Sequence, residues 1–200
     1  MSNVDGVFSK VLQTSVSRWW SLRTTSLKSK MSLSQSIKLY NADGNHKLFH
    51  SSDGDLIKTD TYIKAEVLSG KWILYRTADY NKSLQDGARP YEHMVLPADI
   101  KVVDISDVNG SLFHVPSAEQ ALMLFEFNYY GGGNREYTEE QGDLKDFPKG
   151  ARSAMVGKDN DWQVYPKAGE QGTPQKLTRG TDYATTDEMK MPAVNSIKPY

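Results

Sequence analysis

Cysteine is absent from this 200-residue chain. No disulfide can staple the fold, and thiolate nucleophiles and cysteine-type zinc sites are excluded; the composition suits the cytoplasm. Long apolar runs are lacking too, since none approaches the roughly 18 residues of a membrane-spanning helix. Neither sign of charge dominates: Lys and Arg number 24 against 25 Asp and Glu, a formal net charge of −1. That balance leaves no electrostatic footprint for nucleic acid. Catalytic and metal signatures are also missing. His46, His50, His93 and His114 are scattered, without the paired spacing of a zinc site. Gly131-Gly132-Gly133 lacks the Lys-Ser/Thr of a phosphate loop, and there is no Gly-x-Ser-x-Gly elbow. No twelve-residue ligand series surrounds Asp53-Gly54-Asp55 or Asp159-Asn160-Asp161, so both read as solvated turns rather than EF-hands. These absences point away from an enzyme.

What is present is the rhythm of an all-β chain. Hydrophobic residues make up 38% of the sequence, with 11 Tyr and 15 Gly, enough for one large or two small cores. Short apolar stretches recur about every 8–12 residues with turn signals between them. They include Ile37–Tyr40, Leu48-Phe49, Ile63–Leu68, Trp72–Tyr75, Tyr91–Leu96, Leu122–Phe127, Ser153–Val156, Trp162–Tyr165, Gln175–Thr178 and Asn195–Lys198. Ile100–Ile105 is apolar enough to predict a strand buried on both sides. Residues 107–119, with Asp107, Asn109, Gly110 and Pro116, read as a linker.

The first 35 residues differ. Lys10, Arg18, Arg23, Lys28 and Lys30 face one acid, Asp5, within residues 1–30. Val4, Val7, Phe8, Val11 and Leu12 have helical spacing, and Trp19-Trp20 follow. Several readings stay open: a transit peptide or membrane-surface helix, a disordered extension with a short, marginal helix, or a working start at Met31.

The strongest signal is internal repetition. Trp72-Ile73-Leu74-Tyr75 and Trp162-Gln163-Val164-Tyr165 stand 90 positions apart. Aromatic-x4-aromatic-x-Gly is complete in Phe125…Tyr130…Gly132. Tyr75…Tyr80…Lys82 keeps both aromatics, and Tyr165…Glu170…Gly172 keeps the glycine. Gly180-Thr181-Asp182-Tyr183 supplies a tyrosine-corner pattern. Over residues 36–200 this resembles the βγ-crystallin superfamily, in particular its sponge-type two-domain members. The resemblance implies two domains, 36–106 and 120–200, each a sandwich of two Greek-key motifs (keys 1 to 4 in chain order), paired within or between chains.

The resemblance also implies where calcium would bind, through Asn/Asp-Asn/Asp-x-x-Ser/Thr-Ser in each key. Key 1 offers Thr59-Asp60-Thr61-Tyr62-Ile63-Lys64, key 3 ends in Arg152-Ser153, and key 4 in Asn195-Ser196. Key 2, ended at Ile100–Val103, shows no motif. Asp60, Ser153, Asn195 and Ser196 are the residual ligand positions, and Lys64, Lys149 and Arg152 would repel a cation. The expectation is a non-enzymatic structural or stress-type protein without cofactors. A calcium-binding module, or a membrane- or partner-binding protein using the basic extension, are the alternatives. Ser153 and Ser196 are then expected to serve local turn hydrogen bonds.

Overall fold

The computed structural model describes residues 35–87, 89–98, 100–116 and 121–200. The expectations for the basic extension fall on residues 1–34 and lie outside the described residues.

Keys 1 and 2 supply β1 (Ser36–Asn41), β2 (His46–Phe49), β3 (Tyr62–Ser69), β4 (Lys71–Tyr75), β5 (His93–Leu96), β6 (Val103–Asp104) and β7 (Ser111–Val115). Keys 3 and 4 supply β8 (Leu122–Phe125), β9 (Asn134–Tyr137), β10 (Ser153–Val156), β11 (Trp162–Tyr165), β12 (Gln175–Leu177), β13 (Asp182–Tyr183) and β14 (Ser196–Pro199). A short helix, α1 (Thr186–Met189), and four 3-10 turns complete the described elements. The strands form four antiparallel sheets ordered β2-β1-β3-β6, β5-β4-β7, β13-β10-β8-β9 and β12-β11-β14. Keys interlock by lending strands. β6 of key 2 completes the sheet of key 1, and Asp53 of key 1 bridges to Leu112 in β7.

Three apolar cores result. Trp72, Leu74, Ile37, Leu39 and Leu112 fill the gap between the first two sheets. Trp162, Val164, Leu122, Leu124 and Ile197 fill the gap between the last two. The third core joins the domains: Ile73, Tyr75, Phe113 and Val115 meet Met123, Phe125, Tyr130 and Met155. β4 and β8 are therefore covered on both faces, and this explains why they read as unbroken apolar runs.

The outward faces of the other two sheets are polar. In key 1, Lys38 pairs with Glu66 and Tyr40 with Lys64. In key 4, Gln163 lies between Lys176 and Lys198. Each domain thus has one apolar outer face, and the two cover each other. Polar contacts fix their register: the Tyr75 hydroxyl donates to Tyr130 O at 2.7 Å, Gly132 N donates to Tyr80 O at 2.9 Å, and Lys71 Nζ lies 2.7 Å from Asp182 Oδ1.

Two expectations are corrected. Ile100–Ile105 is not a doubly buried strand: only Val103–Asp104 pairs, and Val102 is 57% exposed. Ser111–Val115, placed in the linker, is instead a strand of five residues paired along β4. Its side chains Leu112 and Phe113 serve two different cores, and this is the reason it cannot be a solvated connection.

Candidate functional site

The repeated chemistry lies at the corner where the first strand of each key turns into its folded hairpin. In keys 2, 3 and 4 the last residue of that strand stands opposite a serine: Tyr75 with Ser111, Phe125 with Ser153, Tyr165 with Ser196. All three serines are fully buried. Each hydroxyl works both ways. Ser111 Oγ donates to Thr77 O (2.7 Å) and accepts from Tyr80 N (3.1 Å). Ser153 Oγ donates to Phe127 O (2.6 Å) and accepts from Tyr130 N (3.0 Å). Ser196 Oγ donates to Lys167 O (2.8 Å) and accepts from Glu170 N (3.0 Å). Key 1 has Lys64 opposite Tyr40, and no such latch is available there.

The latches hold strained backbone. Tyr80, Tyr130 and Glu170, the residues whose amides are bound, have φ of 56°, 60° and 56°. Such left-handed geometry costs a non-glycine residue about 1–2 kcal/mol. In key 2, three consecutive residues, Asp79, Tyr80 and Asn81, are left-handed. Buried Asn81 stabilises them, accepting from Thr77 N at 2.9 Å and donating to Glu92 O at 2.7 Å. Gly132 has φ +75°, and a Cβ there would stand 2.6 Å from the Phe127 ring, so the hairpin glycine is required both sterically and conformationally.

The aromatic pairs pack as edge-to-face contacts, with centroids 5.7 Å apart for Tyr75–Tyr80 and 5.4 Å for Phe125–Tyr130. Burial raises the phenol pKa of Tyr75 and Tyr130, keeping both hydroxyls protonated. In key 4, where Glu170 replaces the second aromatic, Lys198 Nζ binds Glu170 Oε2 at 2.6 Å and approaches the Tyr165 ring at 5.7 Å. Gly172 keeps its positive φ, 91°. Trp72 and Trp162 are buried in the two domain cores, and Tyr183 accepts a hydrogen bond from Thr178 N at 2.9 Å.

The residual ligand positions divide between the domains. Asp60 accepts from Asn41 Nδ2 at 2.9 Å and from Thr61 N at 2.8 Å. Asn195 donates from Nδ2 to Pro166 O at 2.8 Å. The strand position of Ser111 relocates the motif of key 2 from Ile100–Val103 to Ser106-Asp107-Val108-Asn109-Gly110-Ser111. Asp107 occupies an acidic position there, and Gly110 stands where the pattern has Ser or Thr. A Cβ on Gly110 would lie 2.3 Å from Arg76 O and 2.6 Å from Thr77 C, so no hydroxyl-bearing residue fits without moving backbone. Among the described residues no group of three or more His, Cys, Asp or Glu side chains converges as a metal-holding set.

Ser111, Asn81 and His93 escaped sequence reasoning. Ser111-Leu112-Phe113 parallels Ser153-Ala154-Met155 and Ser196-Ile197-Lys198, a signal that would have located the first. The acidic turns are more than solvated loops. Asp161 Oδ1 accepts from Arg179 N at 2.9 Å while Oδ2 meets Lys176 Nζ at 2.6 Å, holding the carboxyl below its usual range.

Four antiparallel sheets, interlocked keys and folded aromatic hairpins define the class: this chain has the two-domain βγ-crystallin fold. Among solved structures it is similar to Geodin, a βγ-crystallin from Geodia cydonium, with TM-score 0.73 over 84% of this chain and 99% of that one, at 18% identity. A βγ-crystallin from Ciona intestinalis is 24% identical, with TM-score 0.37, over 40% of this chain and 99% of its own. A βγ-crystallin from an Archaea is 19% identical, with TM-score 0.36, over 40% of this chain and 96% of its own. No family model and no curated protein sequence matches the chain.

Proposed function

We propose that this chain is a non-enzymatic structural protein whose hairpin corners are closed by serine latches and do not act as calcium sites. The donor chemistry of the four corners carries this reading. A hard cation needs several oxygen ligands from acids, hydroxyls and carbonyls. The two residues at the hydroxyl end of the motif are Ile63-Lys64 in key 1, Gly110-Ser111 in key 2, Arg152-Ser153 in key 3 and Asn195-Ser196 in key 4. The three serine hydroxyls each spend a proton and a lone pair on backbone within the hairpin. Their retention is explained by hairpin stability with no ion involved. The ordered cross-linking of keys, the cysteine-free composition and the mutual burial of the domains support a role in which persistence of the folded chain is the function.

Calcium titration of the metal-stripped protein in a calorimeter, with a melting curve at each end point, tests this. The expected result is no binding heat and no change in Tm up to millimolar calcium. Heat at micromolar to sub-millimolar calcium with a raised Tm would overturn it, since a ligand at 100 times its Kd stabilises by about 2.7 kcal/mol.

A further inference from the structure

We propose that His93 is a proton-operated release for the pairing of the two domains: its protonation in mildly acidic solution weakens the contact between keys 2 and 3 and leaves both domain cores folded. His93 opens β5, opposite Tyr75, on the apolar outer face of its sheet. Its ring packs across the domain boundary against Tyr129 and Tyr130, with centroids 5.5 Å and 5.4 Å away. The Nδ1 atom is buried without a hydrogen-bond partner among the described residues. A neutral imidazole tolerates that position; a second proton would place a charge and an unpaired donor there.

The surroundings offer that charge little. From β4 the neighbour is the Tyr75 phenol, and from the second domain come the phenols of Tyr129 and Tyr130. Beyond Tyr130 lie Asp182 and Glu188. Asp182 is engaged by Lys71, and Glu188 Oε2 accepts from Ala184 N at 2.6 Å. On its own side, Glu92 Oε2 accepts from Arg89 N at 2.8 Å, and Arg76 Nη1 is 4.0 Å from Glu92 Oε1. Burial lowers the imidazole pKa to about 4, against an upward pull from the Arg89 backbone.

Separated domains would return His93 to water and to its ordinary value near 6.5. The separated state therefore binds protons more readily, and acid favours it. Pairing is at full strength above about pH 6.5 and declines as the pH falls toward 4; at pH 5 it is about 30-fold weaker than at pH 8.

Amide hydrogen exchange of the intact chain, read residue by residue by NMR, tests this. The Gly132 amide bonds across the boundary to Tyr80 O, whereas the Tyr130 amide, in the same hairpin, bonds within its domain to Ser153 Oγ. The Gly132 protection factor should fall about 30-fold from pH 8 to pH 5, with Tyr130 and core amides such as Val164 unchanged. In His93→Phe, which keeps the ring and cannot titrate, Gly132 protection should stay level. Should that variant not fold, the imidazole resonance of the wild type decides: titration of His93 near 4 alongside the loss of Gly132 protection supports the release, and titration at 6 or above overturns it. An unchanged Gly132 protection factor in the wild type, an equal fall in His93→Phe, or a parallel loss at Tyr130 overturns it as well.

Discussion

Replacing Ser153 by alanine would remove one hydroxyl and no packing volume of consequence, so its cost isolates the latch. Ser153 is fully buried and joins two backbone groups of the same hairpin, donating to Phe127 O and accepting from Tyr130 N. Two hydrogen bonds of about 1 kcal/mol net each are lost, and a buried backbone donor left without a partner adds about 1–3 kcal/mol. The hairpin would relieve part of this by relaxing Tyr129 and Tyr130, both held at positive φ. Relaxation would in turn disturb Tyr130 O, which receives the Tyr75 hydroxyl from the other domain. About 3 kcal/mol is the expected total, equivalent to a fall in Tm of about 6–12 °C for a chain of this length. Differential scanning calorimetry at neutral pH measures it. Lys64→Ala, at the corresponding exposed position of key 1, should stay within about 0.5 kcal/mol of wild type. A Tm change below about 2 °C in Ser153→Ala would refute the latch as a source of stability.

Gly110→Ser restores the hydroxyl-bearing residue of the calcium pattern in key 2, and its Cβ would collide with backbone at Arg76 and Thr77. It should therefore lower the unfolding free energy by about 2 kcal/mol or more and bring no calcium response; a neutral effect on urea unfolding would show that the strand has room to move. Phe125→Ala removes a ring whose centroid is 6.0 Å from Phe113 and 5.4 Å from Tyr130. The expected loss is about 3–5 kcal/mol with new binding of a hydrophobic dye, and a silent variant would contradict the burial of this face.

Much of the fold was legible because the corners of keys 2, 3 and 4 share a chemistry that strand packing preserves. Phe125, Tyr130 and Gly132 announced a folded hairpin, and Trp72 and Trp162 marked equivalent core positions. Key 2 was misregistered for a physical reason. Ile100–Ile105 is apolar by composition, yet its backbone passes along the sheet edge and pairs only at Val103–Asp104. Ser111–Val115 follows a turn-rich stretch of Asp107, Asn109 and Gly110 and so resembled a linker. The helix α1 was missed although Thr185 and Glu188 form an N-terminal cap, the Glu188 amide donating to Thr185 Oγ1 at 3.2 Å. The domain contact was written in β4 and β8 as apolar runs without alternation, but which two keys would meet depends on the polar faces of keys 1 and 4. Neither Tyr129, at φ 57°, nor the unpartnered Nδ1 of His93 has a one-dimensional signature.

Because the apolar outer faces belong to keys adjacent in the chain, the order of synthesis matters. Once Val115 has been made, the first domain has all its strands, but Ile73, Tyr75 and Phe113 face outward until β8 and β10 arrive with Met123, Phe125 and Met155. The last of these follows Val115 by about 40 residues. At a translation rate of about 5–20 residues per second the bare face persists for about 2–8 s. During that interval a folded half-molecule presents a greasy sheet to its surroundings, and neighbouring nascent copies on one messenger would offer the same surface to each other.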